Sequence, residues 1–73
     1  MILKLPRLSE EAGEIALERM QRKAADLHDK ATKHHRAAAL LYESGDRYQA
    51  DAHASIARRH SMAALEAAAV PKT

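Results

Sequence analysis

The sequence predicts an all-α protein: an antiparallel hairpin of two helices, the first much longer than the second, that dimerises into a four-helix bundle. Apolar residues recur every three or four positions from Ala12 to Leu41, and again from Ala50 to Ala67. That is the period of a single helical face. The only break between the two stretches is Ser44-Gly45-Asp46, a combination suited to ending one helix and starting the next. Seventeen of the 73 residues are alanine, whereas only twelve are Leu, Ile or Val. Alanine favours the helix and lets two helices lie close together, but it buries little area.

The elements follow in order. Residues 1–8 read as an N-terminal arm in which Pro6 favours extended chain. Ser9, with Glu10 and Glu11 behind it, reads as an N-cap with acids over the positive end of a helix dipole. The first helix is expected from about 9 to 44, with the stripe Ala12, Ala16, Met20, Ala24, Leu27, Ala31, His34, Ala38 and Leu41. The turn is 44–46. Asp46 caps the second helix, and Gln49 three residues on completes a capping-box pattern. The second helix is expected over about 47–69, with the stripe Ala50, His53, Ala57, His60, Ala64 and Ala67. Residues 9–70 thus form the hairpin, and 71–73 a tail begun by Pro71.

A chain this short supports one domain at most, with a core near the lower limit of self-sufficiency. It has no cysteine, so neither disulfides nor thiolate metal sites add to that core. Twelve basic and ten acidic side chains give a net charge of +2. They are interspersed, which makes a mixed surface and not a concentrated nucleic-acid footprint. MILKLPRLS is broken too early, by Lys4 and Pro6, to read as a signal peptide. No apolar run reaches membrane-spanning length. The expectation is a cytoplasmic protein with no membrane contact.

The unequal helices point to function. With the turn centred on Gly45, Ala69 falls level with Gln21, so residues 9–20 have no partner within the chain. That overhang carries Leu8, Ala12, Ile15, Ala16, Leu17 and Met20. A lone helix end with an apolar side is marginal in water unless something covers it. A second copy of the chain is the simplest cover, giving a homodimer, and a larger protein could serve instead. Leu8, Ile15, Leu17 and Met20 are the expected partner-binding residues.

The five histidines raise a second possibility. His28 and His35, and likewise His53 and His60, are seven apart. Each pair therefore shares a face at a separation of about 10 Å, too far for one helix to chelate. Neither HExxH nor the ExxH of di-iron bundles occurs. His34, however, falls opposite Ile56, between His53 and His60, so a cross-helix cluster is possible. Three readings stand side by side: packing between alanines, a pH-responsive seam, or binding of divalent Zn, Ni or Cu by His34, His53 and His60. Asp29 and Asp51 lie on other faces and would not complete a metal site within one chain.

The segments Ala31-Thr32-Lys33-His34-His35-Arg36-Ala37-Ala38, Gly45-Asp46, Ala50-Asp51-Ala52-His53-Ala54 and Ala57-Arg58-Arg59-His60 resemble a group of small bacterial histidine- and alanine-rich helical-hairpin proteins. That resemblance covers about 30 residues and implies a connection with stress or metals. This chain departs from the group in having far fewer histidines, with arginine and leucine in their place. The pattern Ala38-x-x-Leu41-x-Glu43-x-Gly45-Asp46-x-x-x-Ala50-x-x-His53-Ala54 also resembles tetratricopeptide-like units and the nuclease-associated HEPN hairpin. The HEPN likeness implies a paired arginine and histidine, and Arg47 and His53 have the spacing. They stand at the start of the second helix, however, and two helices are fewer than that bundle uses.

No other chemistry emerges. Ser9, Ser44, Ser55 and Ser61 have no base-and-orienter pattern around them. Glu10, Glu11, Glu14 and Glu18 read as a solvated acidic side, with Glu18 placed to pair with Arg22 at i,i+4. Arg19, Arg22, Lys23, Lys30, Lys33 and Arg36 make the middle of the first helix basic, which suits at most weak nucleic-acid binding without aromatic stacking surfaces. Leu40, Leu41, Met62 and Leu65 read as larger core or dimer contacts, with Tyr42 and Tyr48 closing the end of the hairpin. The sequence reads as a non-catalytic self-association or partner-binding module.

Overall fold

A computed structural model of the protein describes the backbone of residues 8–69 and the side chains of 13–69. The expected arm through Pro6, the side chain of Leu8 and the tail at 71–73 lie outside the described residues. The first helix, α1, spans Leu8–Ser44, and the second, α2, spans Arg47–Ala67. α1 already includes Ser9, so that serine lies within the first turn and not ahead of it. α2 ends slightly sooner than 69. Ala68 is its C-cap, donating to Ala64 O, and Ala69 N–H donates to Glu66 O in a tightened last turn.

The turn is short because each of its backbone groups does a defined job. Gly45 has φ of +88°, the left-handed conformation that a Cβ disfavours. Its N–H donates to Tyr42 O at 3.1 Å, and Asp46 N–H donates to Leu41 O at 2.9 Å. These two bonds make a Schellman motif that satisfies the last carbonyls of α1. Asp46 simultaneously caps α2: its side chain accepts from Gln49 N–H at 3.1 Å, and its carbonyl from Ala50 N–H at 3.0 Å. Half of the expected capping box is therefore formed. The reciprocal half would need Asp46 N–H, which the end of α1 has already taken.

Six side chains are buried among the described residues, and all are alanine: Ala24, Ala31 and Ala38 on α1, with Ala50, Ala57 and Ala64 on α2. Each column repeats at seven, so the helices meet along a coiled-coil seam. Counted away from the turn, Ala38 falls level with Ala50, Ala31 with Ala57, and Ala24 with Ala64. Between them stand the half-buried residues Met20, Leu27, His34 and Leu41 of α1 and His53, His60 and Ala67 of α2. The seam stripes thus follow the sequence pattern. Leu40, Met62 and Leu65 do not belong to it: they are 67%, 58% and 64% exposed. The heptad explains why, because Leu40 is adjacent to Leu41, Leu65 to Ala64, and Met62 is two beyond His60. None of the three occupies a seam position.

Glu18 and Arg22 form the expected i,i+4 ion pair at 2.6 Å on the exposed side of α1. Such a pair contributes only a few tenths of a kcal/mol. No helix of the described residues is long and apolar enough to cross a membrane.

Two substitutions test the construction. A Cβ at Gly45 would meet no atom within 4 Å, so Gly45→Ala carries only the conformational cost of the positive φ. Urea unfolding should show a loss of about 1–2 kcal/mol. Ala57→Leu should cost about 1–3 kcal/mol by forcing apart helices that approach only over alanine.

Candidate functional site

The seam contains one departure from apolar packing, and it lies near the middle. The heptad that puts Leu27 and Leu41 beside α2 also puts His34 there. On α2 the same positions hold His53 and His60. The structure brings the three imidazoles together as a stack. His34 and His53 have ring centroids 5.2 Å apart with planes inclined by 27°. His34 and His60 are separated by 5.6 Å and inclined by 23°. His34 is therefore the middle ring, between two residues that are two turns apart on the facing helix, and it meets His53 edge to edge through Nδ1. His28 and His35 are exposed and stand apart from this group.

Nδ1 of His34 lies 2.9 Å from Nδ1 of His53. Two imidazole nitrogens at that distance share one hydrogen: one Nδ1 donates and the other must offer a lone pair. The accepting ring is consequently neutral. Half-burial disfavours charge on His34, and the neighbouring His53 and His60 disfavour it further, so its pKa lies below the ordinary histidine value. These are the desolvation and like-charge effects expected when imidazoles are packed together.

A metal centre needs lone pairs aimed at one point, with ligand distances of about 2.0–2.1 Å for imidazole. The stack has a different geometry. His34 and His53 direct their Nδ1 atoms at one another, and His34 and His60 present ring faces to each other. Among the described residues no three His, Cys, Asp or Glu side chains are grouped so as to hold an ion. Chemically, His34 and His53 form a proton-sharing pair, with His60 against the first ring.

A polar link lies closer to the turn. The Tyr42 hydroxyl of α1 donates to Oδ1 of Asp51 on α2. Tyr42 is 48% exposed, so this is a solvent-edge clasp. The bond raises the Tyr42 pKa, with partial burial and the Asp51 charge acting in the same direction and Arg47 opposing them. Tyr48 stands differently, with 87% of its surface exposed. The sequence signalled Tyr42 as a residue at the end of the hairpin but not its carboxylate partner, which is nine positions away across the turn.

The proposed docking residues lie elsewhere. Ile15 and Leu17 are 49% and 46% exposed on the leading part of α1, and Met20 is half-buried where α2 runs out. Ala16, on the same stripe as Ala24, is exposed for want of a facing helix.

The clasp can be tested by tyrosine titration in a Tyr48→Phe background. Asp51→Asn should lower the Tyr42 midpoint toward that of free tyrosine; an unmoved midpoint would show that the clasp does not form. Because the folded pKa is raised, the contribution to stability is complete below the free-tyrosine value of about 10. It fades as pH rises through the folded value. Comparison of the chain with protein-family models, with curated proteins and with solved structures finds no match.

Proposed function

We propose that this hairpin is a non-catalytic self-association module in which the leading part of α1 docks against a second copy of the chain. The unequal length of the helices carries this reading. α1 has 37 residues and α2 has 21, about 55 Å against about 30 Å of helix. The turn fixes one end in common, so the difference accumulates at the other. There the last alanine of α1 that is buried among the described residues is Ala24, and more than three further turns continue toward Leu8.

That segment repeats the apolar spacing of the covered part. Ile15, Ala16 and Leu17 are exposed, and Met20 is only half-covered. A helix of this length gains little from backbone hydrogen bonding alone in water, and each large apolar side chain that is covered adds about 1.5–3 kcal/mol. A two-fold partner supplies the same surface in return, because an isologous contact uses one patch twice. Leu40, Met62 and Leu65, exposed along the outer sides of the hairpin, offer further apolar area to a four-helix arrangement. The six alanines buried among the described residues make a small core, which favours the same outcome.

Sedimentation tests the reading with Ile15→Asp combined with Met20→Asp. The parent chain should run as a dimer at micromolar concentration and the double variant as a smaller species that is still helical. An assembly state unaffected by the two charges would refute docking through this segment.

A further inference from the structure

We propose that the His34–His53–His60 stack is an acid-sensitive lock: it holds α1 against α2 when its imidazoles are neutral, and releases them when it is forced to take up more than one proton. The argument begins with the shared hydrogen. At 2.9 Å, Nδ1 of His34 and Nδ1 of His53 accommodate one hydrogen between them. A single extra proton leaves an imidazolium donating to an imidazole, which is still a hydrogen bond. With both rings fully protonated, two N–H groups point at each other and the bond is lost. His60, stacked on His34 at 5.6 Å, brings a further like charge against the same ring when it protonates.

The surroundings offer these cations no counter-charge. On α1 there is no carboxylate between Asp29 and Glu43, and the charged groups within a turn of His34 are Lys30, Lys33 and Arg36. On α2 there is none between Asp51 and Glu66, and Arg58 and Arg59 adjoin His60. Asp51 is engaged by Tyr42. Asp29 is exposed on α1. The buried side chains along the seam beside these histidines are alanines, Ala31 and Ala38 on one helix and Ala50, Ala57 and Ala64 on the other, with Ile56 half-buried next to Ala57. The alanines neither neutralise charge nor supply a large apolar surface to hold the helices together in spite of it.

Proton counting gives the size of the effect. In the unfolded chain separate imidazoles each titrate near about 6.5, whereas the folded His34–His53 pair keeps its Nδ1–Nδ1 bond with at most one added proton. The unfolded state therefore takes up one more proton at this pair, and stability falls with acidity. The folded pKa of His34 is depressed, in agreement with this sign. The full contribution is present above the unfolded value and is lost as pH falls through that value toward the folded one.

Urea unfolding of the full chain, in chelator and at one protein concentration, tests the lock between pH 7 and pH 5. The ratio of folded to unfolded protein should fall by up to about 10-fold per pH unit in the acidic part of this range, the slope for one proton. His34→Leu places leucine where the same heptad already has Leu27 and Leu41, so the hairpin is retained. Removal of the middle ring should cut the slope to less than half. Joint His28→Gln and His35→Gln substitution, at exposed positions, should leave it unchanged. An equal slope in the parent and His34→Leu would overturn the proposal. A flat profile in the parent, or a slope abolished by the His28 and His35 changes, would do so as well.

Discussion

The contact between two alanine columns governs the rest of this molecule. Ala24, Ala31 and Ala38 face Ala50, Ala57 and Ala64, with little or no surface left exposed on any of them. A methyl group is the largest side chain that lets two helices approach so closely along a continuous seam. The contact is therefore dense but small in area, worth about 0.8 kcal/mol per methyl-sized group against about 1.5–3 kcal/mol for a buried leucine. The seam leaves no room for the larger side chains, which stand at its edges or outside it. Leu40, Met62 and Leu65 are exposed for that geometric reason and not because the fold has failed to gather them.

From the same seam comes the dependence on good ends. Two helices held by little area cannot tolerate unsatisfied backbone groups, because each buried one costs about 1–3 kcal/mol. Gly45 and Asp46 deal with both termini at once. Asp46 N–H closes α1 through Leu41 O, while the Asp46 side chain opens α2 through Gln49 N–H. That economy sets the register, since no slack remains in the turn for one helix to slide along the other. The register in turn places His34 between His53 and His60, and it determines how far α1 runs past the end of α2.

Much of this was legible in the sequence because alanine at seven-residue intervals can hardly be misread. The stripes, the glycine break and the level of His34 with respect to α2 all follow from counting. The capping box was half-legible: Asp46 and Gln49 have the right spacing, but sequence cannot show that Asp46 N–H is already committed to the preceding helix. Apolar character alone marks Leu40, Met62 and Leu65 as larger core or dimer contacts; the seam excludes them from the hairpin core by position. The Tyr42–Asp51 clasp was out of reach, since a bond between residues on the two helices of a hairpin depends on rotation about both helices as well as their level. What covers the leading part of α1 is likewise a matter of association, which no single-chain pattern specifies.

Histidine in the middle of an alanine seam remains to be accounted for physically. Leucine at positions 34, 53 and 60 would bury more apolar area and carry no titration, so stability alone does not favour imidazole. What imidazole adds is directionality and a change of state. The Nδ1 contact orients two rings, and the stack extends that orientation to a third across two turns of α2. The location matters as much as the residue type. A charge near the turn would be relieved by fraying, and a charge on the outer face by water. Midway along the seam, relief requires the helices themselves to separate, and the alanine contacts on both sides are weak enough for a small number of protons to compete with them. The sparse core and the histidine stack are consistent parts of one arrangement, because an interface rich in leucine would hold the helices together against the same charge.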